Sequence, residues 1–244
     1  MSALNSNALW DKSAAAQVAD SPLAKQCFQW FTRERNWINE QHLQLCRIPA
    51  PTFLEAKRAE WITGQFRSLG YEAGLDRGGN VVAQVDPPSR NGLVALTAHL
   101  DTVLAPRLPE DIRLDLDGTL RGPGVSDNGA GLAGLLAVAA ALRGAGAPAE
   151  VLAALLFVAN VGEEGEGNLS GMRFLCRQSS LASRIQSFVV LDGPTTNHVT
   201  YQALASRRFE ISFSGTGGHS WSDFGIGNPV HALSRAVSLF VEQV

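Results

Sequence analysis

Apolar runs with no charge alternate along this chain with stretches whose apolar positions recur three and four residues apart. The first kind is the signature of a strand covered on both faces, the second of an amphipathic helix. Helical spacing runs over residues 22–45, and the two prolines of CRIPAPTF (46–53) interrupt it. It resumes over 54–69, where Leu54, Trp61, Ile62, Phe66 and Leu69 form the stripe and Gly70 ends it. NVVAQV (80–85) and GLVALTAHL (92–100) read as strands, and IRLDLDGTLRG (112–122) as a hairpin turning at Asp117-Gly118. Residues 128–143, small and apolar, predict a tightly packed helix. EVLAALLFVANVG (150–162) and SFVVLDG (187–193) are two more buried strands, with a helix over 169–178 between them. Buried strands alternating with helices predict an α/β fold, a mostly parallel sheet flanked by helices. The pattern changes near residue 200: RRFEISFSG (207–215) alternates like a half-exposed strand, GTGGHSW is a glycine-rich loop, and a helix begins at Asn228-Pro229. The boundary is therefore drawn between 1–200 and 201–244, and one strand with one helix makes the second unit look unfinished.

Composition narrows the class. A hydrophobic content of 45% supports a sizeable core, with Trp30, Trp37, Trp61 and Phe66 as candidates for it. A formal net charge of −3 provides no field that would draw nucleic acid or an anionic membrane. Cys27, Cys46 and Cys176 have no C-x-x-C spacing, which argues against a disulfide framework and fits a reducing compartment. The N-terminus has no basic segment followed by an apolar one, and the apolar stretch at 131–142 is too short for a bilayer. A cytoplasmic protein is the expectation.

Four polar clusters fall where predicted strands end. They are AHLDT with His99 and Asp101, GPGVSDNGAG with Asp127, VGEEGEGNLSG with Glu163 and Glu164, and VVLDG with Asp192. In open α/β sheets ligands bind beyond the carboxyl ends of the strands. Adjacent carboxylates repel, so the Glu163–Glu164 pair at the end of a buried strand asks for a compensating cation. An imidazole with several carboxylates matches the N/O donors of Zn²⁺, Mn²⁺ or Co²⁺, and a shared carboxylate would allow a pair of ions about 3.5–4 Å apart. Each cluster has a plainer reading by itself: Asp127 as a helix N-cap, Asp192 as turn chemistry before Gly193, and the glutamates, Glu166 above all, as a solvated loop.

HLDT, GPGVSDNGAG, GEEGEG, LDG and GTGGHS, in this order and at these separations, resemble the co-catalytic di-zinc exopeptidase and amidohydrolase family. That family includes carboxypeptidase G, acetylornithine deacetylase, succinyl-diaminopimelate desuccinylase and peptidase T. VGEEGEGNLSG and GGHSWSDFGIGNP stand somewhat closer to its peptidase T-like branch. The resemblance implies a metal-dependent hydrolase of amide bonds in short peptides or N-acyl amino acids, with two divalent ions, zinc foremost and Mn or Co as alternatives. It implies that His99 and Asp192 ligate one ion, Glu164 the other, and Asp127 both. It makes Glu163 the general base, Asp101 the residue that orients the His99 imidazole, and His219 the group that stabilises the oxyanion. It also makes 1–200 the first part of a metal-binding catalytic domain and 201–244 the start of a smaller α+β lid through which such enzymes form homodimers. The family's last metal ligand is a histidine in a returning C-terminal segment, and none of His42, His198 and His231 stands in such a context. A truncated chain is the expectation, and the competing reading is an incomplete fragment or pseudoenzyme that binds at most one metal and acts by dimerising.

Overall fold

The structure, a computed structural model, describes residues 12–86, 92–193, 195, 197, 199–202 and 209–243. The chain divides into two compact units, Met1–Thr196 and Asn197–Val244. The first opens with helices α1 (Lys12–Asp20), α2 (Pro22–Arg33) and α3 (Arg35–Cys46). The Ser21 hydroxyl accepts from Ala24 N, and Pro22 supplies the preset φ of a first helical residue. Then come α4 (Ala56–Ser68), β1 (Glu72–Leu75), β2 (Val81–Gln84) and β3 (Leu93–His99). A short ribbon, β4 (Arg113–Leu114) and β5 (Leu120–Arg121), closes through Asp115 N donating to Thr119 O at 2.9 Å, with Gly118 at φ +83°. The unit ends with α5 (Gly131–Gly144), α6 (Ala149–Ala153), β6 (Leu155–Asn160), α7 (Ser170–Arg177) and β7 (Ile185–Val190).

The main sheet has the order β1-β2-β6-β3-β7. β3 pairs in parallel with β6 on one side and β7 on the other, while β1 and β2 add an antiparallel hairpin beyond β6. Alternation along β6 explains the layers. Phe157 and Ala159 face Ile62 and Phe66 of α4 and Leu132, Leu135, Leu136 and Ala139 of α5. Leu156 and Val158 face the other way, toward Leu93, Ala95 and Leu175. Burial of one such Leu or Phe stabilises the fold by about 1.5–3 kcal/mol. The small residues of α5 let Trp30 come close: Ala137, Ala140 and Ala141 line it, and a Cβ on Gly144 would sit 2.6 Å from its ring. Trp37 meets Trp30 edge to face at 5.6 Å.

Several expectations change. EVLAALLFVANVG is not one strand. Its first residues form α6 behind Pro148, where Ala, Glu and Leu favour a helix, and the strand starts at Leu155. SFVVLDG is an edge strand rather than a buried one, with Phe188 42% and Val190 60% exposed. Residues 209–215 of RRFEISFSG form no strand, and Arg207 and Arg208 lie outside the described residues. Glu72–Leu75 forms a strand that no pattern announced. By length and composition alone Val125–Gly144 is long and apolar enough to cross a membrane. Its regular helix, however, begins only at Gly131 and is packed into the core. Among the described residues the second unit holds one regular element, α8 (Pro229–Val241), whose first turn Asn228 caps through its Oδ1 on Val230 N at 2.8 Å.

Candidate metal centre

His99 is the last residue of β3, Glu163 and Glu164 follow β6, Asp192 follows β7, and Asp127 precedes α5. The parallel register, with His99 opposite Asn160 and Thr97 opposite Val190, brings these ends to one edge. His99 is 3% exposed. Its Nε2 lies 2.9 Å from Asp127 Oδ1, 3.9 Å from Asp192 Oδ2 and 4.0 Å from Glu163 Oε2. Its Nδ1 lies 2.9 Å from the main-chain oxygen of Asp101 and 3.5 Å from that residue's carboxylate. The main-chain oxygen is thus the closer acceptor, and it leaves Nε2 turned toward the carboxylates.

The Asp101 carboxylate, in addition to lying beside the His99 imidazole, holds the glutamate loop. Fully buried, it accepts from the backbone N–H of Glu163 and of Glu164 and from the Thr52 hydroxyl, each at 3.0 Å. Burial pushes its pKa up, but these bonds and the neighbouring imidazole outweigh burial and hold it at about 2. For His99 burial favours the neutral form. The Asp101 side chain and the charges of Asp192 and Glu163 outweigh it and raise the pKa to about 9. Glu163 is pushed upward by burial, against the pull of His99, with Glu164, Asp192 and Asp101 adding to the rise. Glu164 is pushed upward by burial and by Asp127.

The turn that carries the glutamates depends on its glycines. Gly162 has φ +59°, a left-handed conformation that suits glycine, and a Cβ there would lie 2.2 Å from Ser170 Oγ. A Cβ on Gly167 would meet the Gly162 backbone at 2.7 Å. Near Asp127 it is Asn128 that bonds to the start of α5, through Oδ1 on Gly131 N at 3.1 Å, so Asp127 is spared a capping role. Asp192 does accept from Gly193 N, at 2.6 Å, as its turn reading expects.

Two sets of donor atoms lie close enough to hold an ion: His99 with Glu163 and Glu164, and His99 with Asp127 and Asp192, the atoms of each set within 4.8 Å of one another. The donors are the imidazole nitrogen and carboxylate oxygens that Zn²⁺ and its neighbours take. The carboxylates also crowd around one buried imidazole and raise its pKa, and their joint negative charge is what a divalent cation would neutralise. The chain thus fits a metal. The residue common to both sets is His99, whereas the resemblance gives the shared place to Asp127.

Other predicted residues lie elsewhere. His219 belongs to the second unit and is exposed; its backbone N–H donates to Asp223 Oδ2 at 2.7 Å. His42 is half-buried on α3, 2.8 Å from Val125 O through Nε2, and burial lowers its pKa. His231 is on α8, and His198 lies outside the described residues. Sequence reasoning missed Thr52, Glu55 and Asn80, whose side chains bond to the site's loops. The only available signal was a polar residue at a helix start or after a turn, which ordinarily means a cap.

The sequence profile of peptidase family M28 matches residues 80–220, more than half of the chain, from the start of β2 to just past His219. The chain belongs to peptidase family M28. Membership in a peptidase family agrees with the resemblance to zinc exopeptidases. This M28 chain is 28% identical over 231 aligned positions to the cytosol non-specific dipeptidase of Escherichia coli (strain K12), covering 82% of this chain and 46% of that protein. It spans about half the length of the curated relative it matches. Among solved structures, the di-peptidase Dug1p of Saccharomyces cerevisiae superposes with a TM-score of 0.57 at 14% identity, over 88% of this chain and 52% of that one. Human carnosine dipeptidase 1 gives 0.55 at 15% identity with the same coverages. A tripeptidase from Staphylococcus aureus gives 0.53 at 23% identity, over 65% and 43%. At these identities the structures share the fold, and they do not single out one branch of the family.

Proposed function

We propose that this chain contributes the metal-binding part of a hydrolase that cleaves amide bonds in short peptides. The observation that carries the reading is the convergence of Asp127, Asp192 and Glu163 on Nε2 of His99, all within 4.0 Å, with Glu164 in the adjoining set. Short peptides are preferred over N-acyl amino acids because the relatives are a dipeptidase in the curated set and di- and tripeptidases in the structural one. The Escherichia coli relative's description as cytosolic supports a cytoplasmic location.

In this proposal His99, Asp192, Glu164 and Asp127 would hold two divalent ions, Asp127 contributing to both, zinc being the first choice. Bound there, the ions would act as Lewis acids toward the scissile carbonyl and lower the pKa of water. Glu163 accepts the proton of the attacking water and passes it to the leaving amine. Its carboxyl is half-buried and lies 4.0 Å from His99 Nε2, beside the place where the ions would sit. Asp101 keeps the backbone under Glu163 and Glu164 in place. His219 donates a hydrogen bond to the developing oxyanion. Its Nδ1 accepts from Trp221 N at 3.3 Å, which leaves the proton on Nε2. The residues after 200 form the start of a lid that also dimerises the complete enzyme.

Metal stoichiometry tests the centre. After dialysis against zinc and removal of excess, elemental analysis should find two ions per chain, and fewer in Glu164→Ala. A chain without metal, or a variant indistinguishable from its parent, would overturn the reading.

A further inference from the structure

Four consecutive backbone N–H groups leave the end of β6, and they are accepted by three side chains from different parts of the first unit. Val161 N donates to Asn80 Oδ1 at 3.2 Å, Gly162 N to Glu55 Oε1 at 3.0 Å, and Glu163 N and Glu164 N to the two oxygens of Asp101 at 3.0 Å each. Asn80 and Asp101 are fully buried and Glu55 is 6% exposed. A run of amides that continues no strand and starts no helix must find partners elsewhere when buried. Here the partners are three side chains, and two of them, Glu55 and Asp101, are carboxylates taken out of water. That is a costly way to stabilise a loop, and it is reasonable only where the loop's geometry matters.

Glu55 is the member no motif accounts for. It stands at the N-cap position of α4 yet makes no side-chain cap for that helix. Its Oε1 instead accepts from Gly162 N, 107 residues away, and from Phe53 N at 3.0 Å. Phe53 has φ +72°, a left-handed conformation that costs a bulky residue roughly 1–2 kcal/mol. The turn into α4 thus accepts strain while its carboxylate reaches across to the glutamate loop. Arg58, one turn further and fully buried, donates to the main-chain oxygens of Ile48 and Leu100, so the same end of α4 also holds the residue between His99 and Asp101.

We infer that Glu55 is a positioning residue: through its hydrogen bond to Gly162 N it sets the backbone from which Glu163 and Glu164 project toward His99. The inference rests on the reading of that cluster as a metal centre. What Glu55 supplies is an acceptor at a fixed point, so the oxygen matters more than the charge.

The test compares Glu55→Met, which fills the space without an acceptor, with Glu55→Gln, which keeps one. Two quantities are read on the whole chain: the dissociation constant for Co²⁺ by chelator competition, and amide hydrogen exchange at Gly162 in the metal-free protein. Glu55→Met should weaken Co²⁺ binding by about 10–100-fold, as loss of a partner behind the ligands typically does, and should speed Gly162 exchange at least about tenfold. Glu55→Gln should stay within about threefold of the parent in both. A folded Glu55→Met chain with the parent's affinity and protection would overturn the inference, as would equal losses in the Met and Gln variants. If Glu55→Met does not fold, Glu55→Asp, which withdraws the acceptor by one methylene, takes its place under the same two outcomes. If the parent itself binds no Co²⁺, the metal reading fails, and the exchange measurement decides the role of Glu55 alone.

Discussion

The two sides of the candidate centre are built differently. Glu163 and Glu164 are half-buried, and the backbone of residues 161–164 is gripped by buried acceptors from three segments. Asp127 and Asp192 are exposed, the Asp127 side chain to 64%, and each approaches His99 from a loop end. One side is pre-set by the fold, so a metal arriving there spends little on ordering its ligands. The other reaches solvent, where a substrate must enter, and its carboxylates are freer to adjust. Rigid support behind Glu163, the proton carrier of the proposed mechanism, with exposure at Asp127 and Asp192, would be a division of labour suited to hydrolysis.

The comparison can be broken in several ways. The largest effect belongs to the supported side. Glu163→Gln keeps the shape and removes the base, so dipeptide hydrolysis by the complete enzyme should fall about 10³-fold while metal content stays at the parent's value. Normal turnover in that variant would remove Glu163 from its role. Next comes pH, read on the metal-free chain. With His99 raised from its usual range to about 9, its contribution to stability is complete below pH 6.5 and lost as pH rises through 9. Asp101, held at about 2, contributes above pH 3.8 and loses that contribution as pH falls toward 2. Urea midpoints should therefore drop from pH 6.5 to 9 by the equivalent of up to about 3 kcal/mol, and saturating zinc, which competes with that proton, should flatten the drop. A flat profile without metal would mean that the carboxylates do not hold the imidazole's proton.

A smaller effect separates the two sides directly. Asp101→Asn leaves one acceptor oxygen for the amides of Glu163 and Glu164, so unfolding free energy should fall by about 2 kcal/mol. The NMR shifts of Asp192 should stay put while those of Glu163 and Glu164 move; equal movement on both sides would erase the distinction. The smallest effect is at Glu166. It is exposed in the same acidic run, and Glu166→Gln should change neither metal affinity nor stability beyond about 0.5 kcal/mol.

What could be read from the sequence follows from how local each feature is. The strands holding His99 and Asn160 announce themselves because both faces of their sheet are covered, and the residues that end them stand out as polar breaks in apolar runs. β7 misled for an instructive reason: its residues are apolar like those of a central strand, and only the sheet order places it at an edge. The helix α6 hid inside an apolar run that period alone cannot divide. At the site the convergent residues were legible as motifs, but their supports were not. Glu55 and Asn80 lie 107 and 81 residues from the amides they hold, and nothing in their neighbourhoods distinguishes them from ordinary caps and turns. Asp101 was noticed for its adjacency to His99, which is visible in one dimension, whereas its bonds to the backbone of Glu163 and Glu164 are not.

The groups that surround His99 come from segments spread between residues 99 and 192, and three of them sit at the ends of strands aligned in parallel. Parallel pairings require long crossovers and form slowly, because chain entropy is lost before any contact is made. No short piece of this protein can assemble the centre, and a slip of one residue between β3 and β6 would turn His99 to the opposite face of the sheet. Capture of the proposed ion would therefore be a clock for folding: it could be held only after the last of the three strands has found its register.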